Sequence, residues 1–216
     1  SVDADQKLDI QLRYIAMEHV EHDYIGNESL NNFHCAELVR GVSLKKSFSH
    51  ESMPNEIRNA RIAVLSCALE PPKLKTKHTI NITNREEFDD LRKVEQSYFQ
   101  QIFDKLTEMS VNTVICQWGM DHEVNEWLYQ NDMVAVRWVP GHELERVAMA
   151  VGAQICSRIT DLQPHMIGTA ERIYQKQNPN TTNSSSSQIV VIEGCTNPKV
   201  CTILIHAINQ LVADDI

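Results

Sequence analysis

Glycine is scarce in this chain and never clustered. Its seven glycines lie scattered through 216 residues, with neither GxxxxGK[ST] nor GxGxxG among them, so no Gly-rich loop feeds a helix N-terminus to cradle phosphate. No Ser or Cys sits in a nucleophile elbow. The six cysteines (35, 67, 116, 156, 195 and 201) form no CxxC pair. Cys67, Cys116 and Cys156 fall in apolar runs, where a thiol behaves as a small hydrophobe. That usage fits a reduced, cytoplasmic compartment, which makes the sequons at Asn27, Asn81, Asn180 and Asn183 chance matches. Positive charge is also short: Lys and Arg number 20 against 29 Asp and Glu, a net charge of −9, which argues against a nucleic-acid surface. The basic run 73–77 is short and reads as solvated loop. No apolar stretch approaches the ~20 residues of a membrane span, and no charged-then-apolar leader is present. We expect no nucleic-acid and no membrane partner.

What is present is enough for a core. With 42% hydrophobic residues, the chain can fold as one domain. Residues 1–10 are polar and read as loose. Residues 11–17 and 35–44 are strand candidates around a polar connection, 18–32. A loop over 47–59, with a turn at Met53-Pro54, precedes a buried strand at 60–69. Pro71-Pro72 ends that strand, and a short extended segment at 78–82 leads to the capping box Thr83-Asn-Arg-Glu86. The helix that follows runs to about Met109 and spans ~40 Å at 1.5 Å per residue. Its stripe of Phe88, Leu91, Phe99, Ile102, Leu106 and Met109 is interrupted by Glu95, so its C-terminal half is expected to pack and its N-terminal half to project. Residues 142–152 form a further amphipathic helix through Leu144, Val147, Ala148 and Val151, ended by Gly152. Strands are expected at 154–157, 189–192 and 202–205. The low-complexity stretch 178–188 buries nothing and reads as a loop tip. Without an initiator Met, and with 214–216 reading like the opening of a helix, the chain is expected to be a piece of a longer polypeptide.

The most informative stretch is 111–139. Two β-branched apolar runs, 113–117 and 133–139, flank a helix over 121–131 that Asp121 can cap. Helical spacing puts Met120, Val124, Trp127 and Leu128 on one side. The opposite face centres on His122, Glu126 and Tyr129, flanked by Glu123, Asn125 and Gln130. A polar face containing a Tyr is either a contact surface or plain solvated helix. The nearby loop 43–57 holds Phe48 and Met53 among polar residues. Either they offer adaptable apolar contact or they tuck beneath the loop. Trp118, Trp127 and Trp138 are read as packing residues.

Metal chemistry is poorly supported. His122-Glu-Val-Asn-Glu126 begins like HExxH but lacks the second His, so zinc would lose its helical ligand pair. His19 and His22 on a strand point to opposite faces. His50 and His78 are isolated in loops. A metal-dependent hydrolase using these segments is the reading that a zinc assay would decide. A stand-alone peptide-binding module is a further alternative, decided by whether the natural gene continues past both ends of the chain.

ICQWGMDHE (115–123), AVRWVPGHELERVAMAVGAQICSR (135–158), GVSLKKSFSHESMP (41–54), ARIAVLSCALEPPKLKTKH (60–78) and IEGCTNPKVCTILI (192–205) together resemble the apical domain of the group II chaperonins, the TRiC/CCT or TCP-1 family, from about Leu38 onward. The resemblance implies an α/β chaperonin apical-domain fold, mixed sheets flanked by helices with a helical protrusion. It implies an intermediate-domain remnant and first strand over 1–37, an apical body over 38–205 with its protrusion at about 74–98, and a return toward the intermediate domain over 206–216. Its functional implication is capture of non-native polypeptide clients through the 121–131 helix and the 43–57 loop, with Phe48, Met53, His122, Glu123, Glu126, Tyr129 and Gln130 as substrate-binding residues. The protrusion would close the chamber, and the partners would be other subunits of a hetero-oligomeric double ring. No catalytic, metal or cofactor residue is assigned here; ATP and Mg belong to the longer protein. One departure stands out: His206-Ala207 follows Ile205 where the family's hinge strand continues into Arg-Gly.

Overall fold

The computed structural model describes residues 15–21, 35–71, 85–177, 188–197 and 200–207. The capping box, the extended segment 78–82, the 178–187 tract, the sequons, His22, His78 and the chain ends lie outside them. In chain order the elements are β1 (Ile15–Glu21), β2 (Cys35–Val39), β3 (Gly41–Leu44), β4 (Glu56–Leu65), α1 (Arg85–Glu108), β5 (Thr113–Cys116), α2 (His122–Gln130), β6 (Val134–Val136), α3 (Gly141–Val151), β7 (Gly168–Gln177), β8 (Gln188–Cys195) and β9 (Cys201–Ala207). They build a three-stranded sheet, β1-β9-β2, and a six-stranded one, β3-β8-β7-β4-β5-β6. The mixed α/β architecture anticipated from the sequence is the one found.

The larger sheet changes character along its width. β4, β5 and β6 are parallel, with α1 and α2 as the crossovers, and β5 and β6 are buried throughout, as a sheet covered on both faces requires. β7 and β8 continue it antiparallel and leave part of one face open. That is why β7, missing from the sequence reading, hides itself: Ala170 and Ile173 are buried while Thr169, Glu171 and Arg172 are exposed, so no apolar run marks it.

Boundaries shifted for physical reasons. The single strand expected at 35–44 is two, divided at Arg40, because the chain leaves one sheet for the other. Gly41 permits the crossing: a Cβ there would overlap the Ile192 carbonyl. Thr202 Oγ1 ties the crossing by donating to the Gly41 carbonyl at 3.0 Å and accepting from Ser43 N at 3.4 Å. β1 runs to Glu21, into the stretch read as a polar connection, since parallel pairing with β9 carries it there. β4 starts at Glu56 rather than 60 through its pairing with β7. The strand expected at 154–157 reduces to one bridge, Leu65 with Cys156.

The core gathers Ile62, Leu65, Ile115, Leu128, Leu144, Ile192 and the C-terminal half of α1. Phe99, Ile102, Leu106 and Met109 are buried there as the stripe implied, with Phe103 added. Residues 92–97 of α1 are exposed, Val94 at 68%. α3 buries Leu144, Val147, Ala148 and Val151 and stops at Gly152, left-handed at φ 71°. The tryptophans divide. Trp127 packs on the core, stacked on Phe103 at 4.4 Å and 10°. Trp118 and Trp138, expected inside, are each 52% exposed, because the turns after β5 and β6 point them out of the sheet.

Candidate functional site

α2 begins where Asp121 accepts from Glu123 N at 3.0 Å and ends at Asn131, the bounds the sequence implied. Val124 and Leu128 are buried and Trp127 half-buried, so the opposite face is fixed outward. His122, Glu123, Glu126, Tyr129 and Gln130 all lie exposed along it. His122 Nε2 approaches Glu126 Oε1 at 3.9 Å, one turn apart. Such an exposed pair adds little stability, so the face is available for contact rather than committed to structure.

Asn125 departs from that face. It was placed among the outward residues but is buried, and it fastens the loop before β4 onto α2. Its amide donates to the Ser49 carbonyl at 3.0 Å and its carbonyl accepts from Ser49 Oγ. Ser49 N donates to Ala135 O at 2.8 Å, and Phe48 N donates to Gln175 Oε1 at 2.8 Å. These bonds pin the loop at both sides, and each satisfies a group that burial would otherwise penalise by about 1–3 kcal/mol.

The pinning decides the fate of Phe48 and Met53. They are 7% and 4% exposed and join the main core, so the tucked alternative holds and neither is a surface contact. His50 takes their place at the surface. Read from sequence as isolated in its loop, it stacks on Tyr129, ring centroids 5.1 Å apart and planes at 20°, while its Nδ1 accepts from Ser52 N at 3.1 Å. Loop and helix therefore meet in one patch: His50 and Tyr129 at one end, His122, Glu123, Glu126 and Gln130 along it. Only the histidine's presence in the loop hinted at this, since stacking across 79 residues leaves no periodic signal.

The patch holds no nucleophile and base in contact, and among the described residues no three His, Cys, Asp or Glu side chains converge as a metal cage. Burial pushes the Cys116 thiol up to about 12 and raises that of Cys67 as well. Both are poor nucleophiles at neutral pH. A separate groove of about 1090 Å³ has Leu38, Arg40, Arg58, Arg172, Glu193 and Cys195 on its walls. Four of its charges pair internally: Arg58 with Glu56 at 2.9 Å, and Arg172 with Glu193. Burial first, and then Glu193, push the Tyr174 hydroxyl beside them up to about 12.

Comparison with known proteins places the chain in a family. The TCP-1/cpn60 chaperonin family model matches residues 7–216, and the chain belongs to that family. It is 39% identical over 180 residues to T-complex protein 1 subunit epsilon of Encephalitozoon cuniculi, covering 82% of this chain and 32% of that protein. It is 33% identical over 183 residues to a thermosome subunit of Desulfurococcus, covering 85% and 32%. The open-state monomer of a group II chaperonin from Methanococcoides burtonii superposes with a TM-score of 0.70 at 24% identity, over 94% of this chain and 41% of that one, which establishes the shared fold. The chain spans about a third of the length of these curated relatives.

Proposed function

We propose that this member of the TCP-1/cpn60 chaperonin family is the apical, client-binding part of a cytosolic group II chaperonin subunit, and that it captures non-native polypeptides on the outward face of α2 and the loop docked against it. The observation that carries the reading is the clasp between Ser49 and Asn125. It holds rigid a surface patch whose own side chains contribute almost nothing to the fold. Tyr129 and His50 offer flat amphipathic contact at small entropic cost. Glu123, Glu126, His122 and Gln130 add polar and charge selectivity. One such patch binds weakly, and a ring of subunits multiplies it into useful avidity. Phe48 and Met53 serve as the loop's anchors rather than as contacts.

In this reading residues 38–205 form the apical body, with 1–37 and 206–216 leading from and to the intermediate domain. Residues about 74–98 form the protrusion that closes the chamber of a hetero-oligomeric double ring. ATP and Mg act in the parts of the longer protein beyond this chain, which makes the whole subunit an ATPase. The test combines Tyr129→Ala with Glu126→Lys. Capture of an unfolded client should fall severalfold while the melting temperature stays nearly unchanged, because exposed substitutions move stability by about 0.5 kcal/mol or less. Undiminished capture would sink the assignment.

A further inference from the structure

Trp118 and Trp138 stand outside the core, each 52% exposed. Their rings meet edge to face, centroids 6.4 Å apart and planes at 72°, forming an open corner just past the ends of β5 and β6 and beside the N-cap of α2. Two half-solvated indoles are expensive to keep, since each forgoes much of its burial energy. Trp138 carries a second penalty. Its backbone is left-handed at φ 59°, a region that bulky side chains avoid and that Gly or Asn fills readily. The hydrogen bonds of this turn, Trp138 N to Trp118 O at 3.4 Å and Val139 N to Cys116 O at 3.1 Å, require no indole. A half-exposed aromatic in a strained backbone, packed only in part against its partner indole and Gly119, points to a functional constraint.

The surroundings indicate what such a corner selects. Gly119 forms its floor, where an added Cβ would collide with a Glu70 carboxylate oxygen and touch the Trp138 ring at 3.1 Å. A carboxylate and an indole edge thus converge on one spot. Asp121 and Glu123 open the adjoining helix, Arg137 is the neighbouring cation in sequence, and the whole chain carries −9. Indole faces attract cations through their quadrupole, and the Glu70 carboxylate beside the Trp138 ring reinforces that choice, while Arg137, next in sequence, opposes it.

We propose that the Trp118–Trp138 corner binds a lysine or arginine side chain of an extended, non-native polypeptide, as a second client subsite at the opposite end of α2 from the His50–Tyr129 stack. The polypeptide nature of the ligand rests on the client-binding reading above; the preference for a cation rests on the corner alone. α2 has nine residues and spans ~13 Å, a distance that four or five extended residues bridge. One client segment can therefore engage both ends, which favours basic residues spaced a few positions from an apolar one.

The test uses the 216-residue chain and two unstructured peptides, one with a single lysine flanked by leucine and valine, the other identical but with that lysine Nε-acetylated. The lysine peptide should bind several-fold more tightly than its acetylated twin and change the tryptophan emission. Trp118→Ala, or Trp138→Asn chosen because Asn accepts the left-handed backbone, should abolish that difference without lowering the melting temperature. Tyr129→Ala should instead weaken both peptides alike. If the lysine peptide fails to bind, if the two peptides bind equally to the unaltered protein, or if both Trp variants keep the preference, the subsite does not exist. Loss of the preference only in the Trp variants, with the Tyr129 variant binding normally, would uphold the corner and overturn the α2 face.

Discussion

The loop before β4 and the corner after β5 and β6 exchange the roles their compositions suggest. The loop looks like a solvated connection, yet Phe48 and Met53 are almost wholly buried. The corner closes two apolar strands that are buried throughout, yet its two tryptophans are half exposed to solvent. Backbone anchoring makes the difference. The loop is held at Ser49 by Asn125 and Ala135, which pulls its apolar residues under it. The turn at Trp138 adopts a left-handed residue that throws its side chain outward. Exposure in this domain follows how the chain is tied, and only secondarily which residues it contains.

The contrast can be broken most forcefully by truncation. Phe48→Ala and Trp127→Ala should each lower unfolding free energy by about 3 kcal/mol, whereas Trp118→Ala should cost about 0.5 kcal/mol or less. Urea unfolding followed by circular dichroism measures all three. Equal losses at Trp118 and Trp127 would mean that the corner is core after all.

A smaller effect sharpens the role of the clasp. Asn125→Ala strands the Ser49 carbonyl in a part-buried site and should cost about 1–3 kcal/mol. Because the same bond holds the loop, trypsin should cut faster at Lys45 and Lys46 in this variant. A stability loss without faster cleavage would separate the clasp from loop anchoring.

The thiols offer a milder probe. With its value raised by burial to about 12, Cys116 should resist alkylation at pH 8 until the protein unfolds. The sign follows from the proton's preference. Below about pH 9 both folded and unfolded states keep it, so Cys116 contributes no pH dependence. From 9 to 12 the unfolded state releases it first, and stability declines as pH rises. Cys116→Ser should remove that part of the alkaline slope.

Much of the fold was legible because local rules decided it. Asp121 and Gly152 mark helix ends by capping chemistry that needs no tertiary context, and the packed half of α1 announced itself by spacing. What escaped depended on distant partners. β7 buries Ala170 and Ile173 with two exposed charged residues between them, so its period is broken, the split between β2 and β3 is set by the Ile192 carbonyl against Gly41, and His50 finds Tyr129 only once the loop is pinned. The outward face of α2 was readable from its period, apart from Asn125, whose burial reflects the loop that lies over it.

The central claim is that the outward face of α2, with His50, is where clients bind. Backbone amide shifts of the isotope-labelled chain, recorded during titration with an unfolded client, test it most directly. Perturbations should cluster at His50, His122, Glu123, Glu126, Tyr129 and Gln130, extend to Trp118 and Trp138 for a client carrying lysine or arginine, and leave the groove around Arg58 and Arg172 unchanged. Shifts confined to that groove, with the α2 residues silent, would contradict the account.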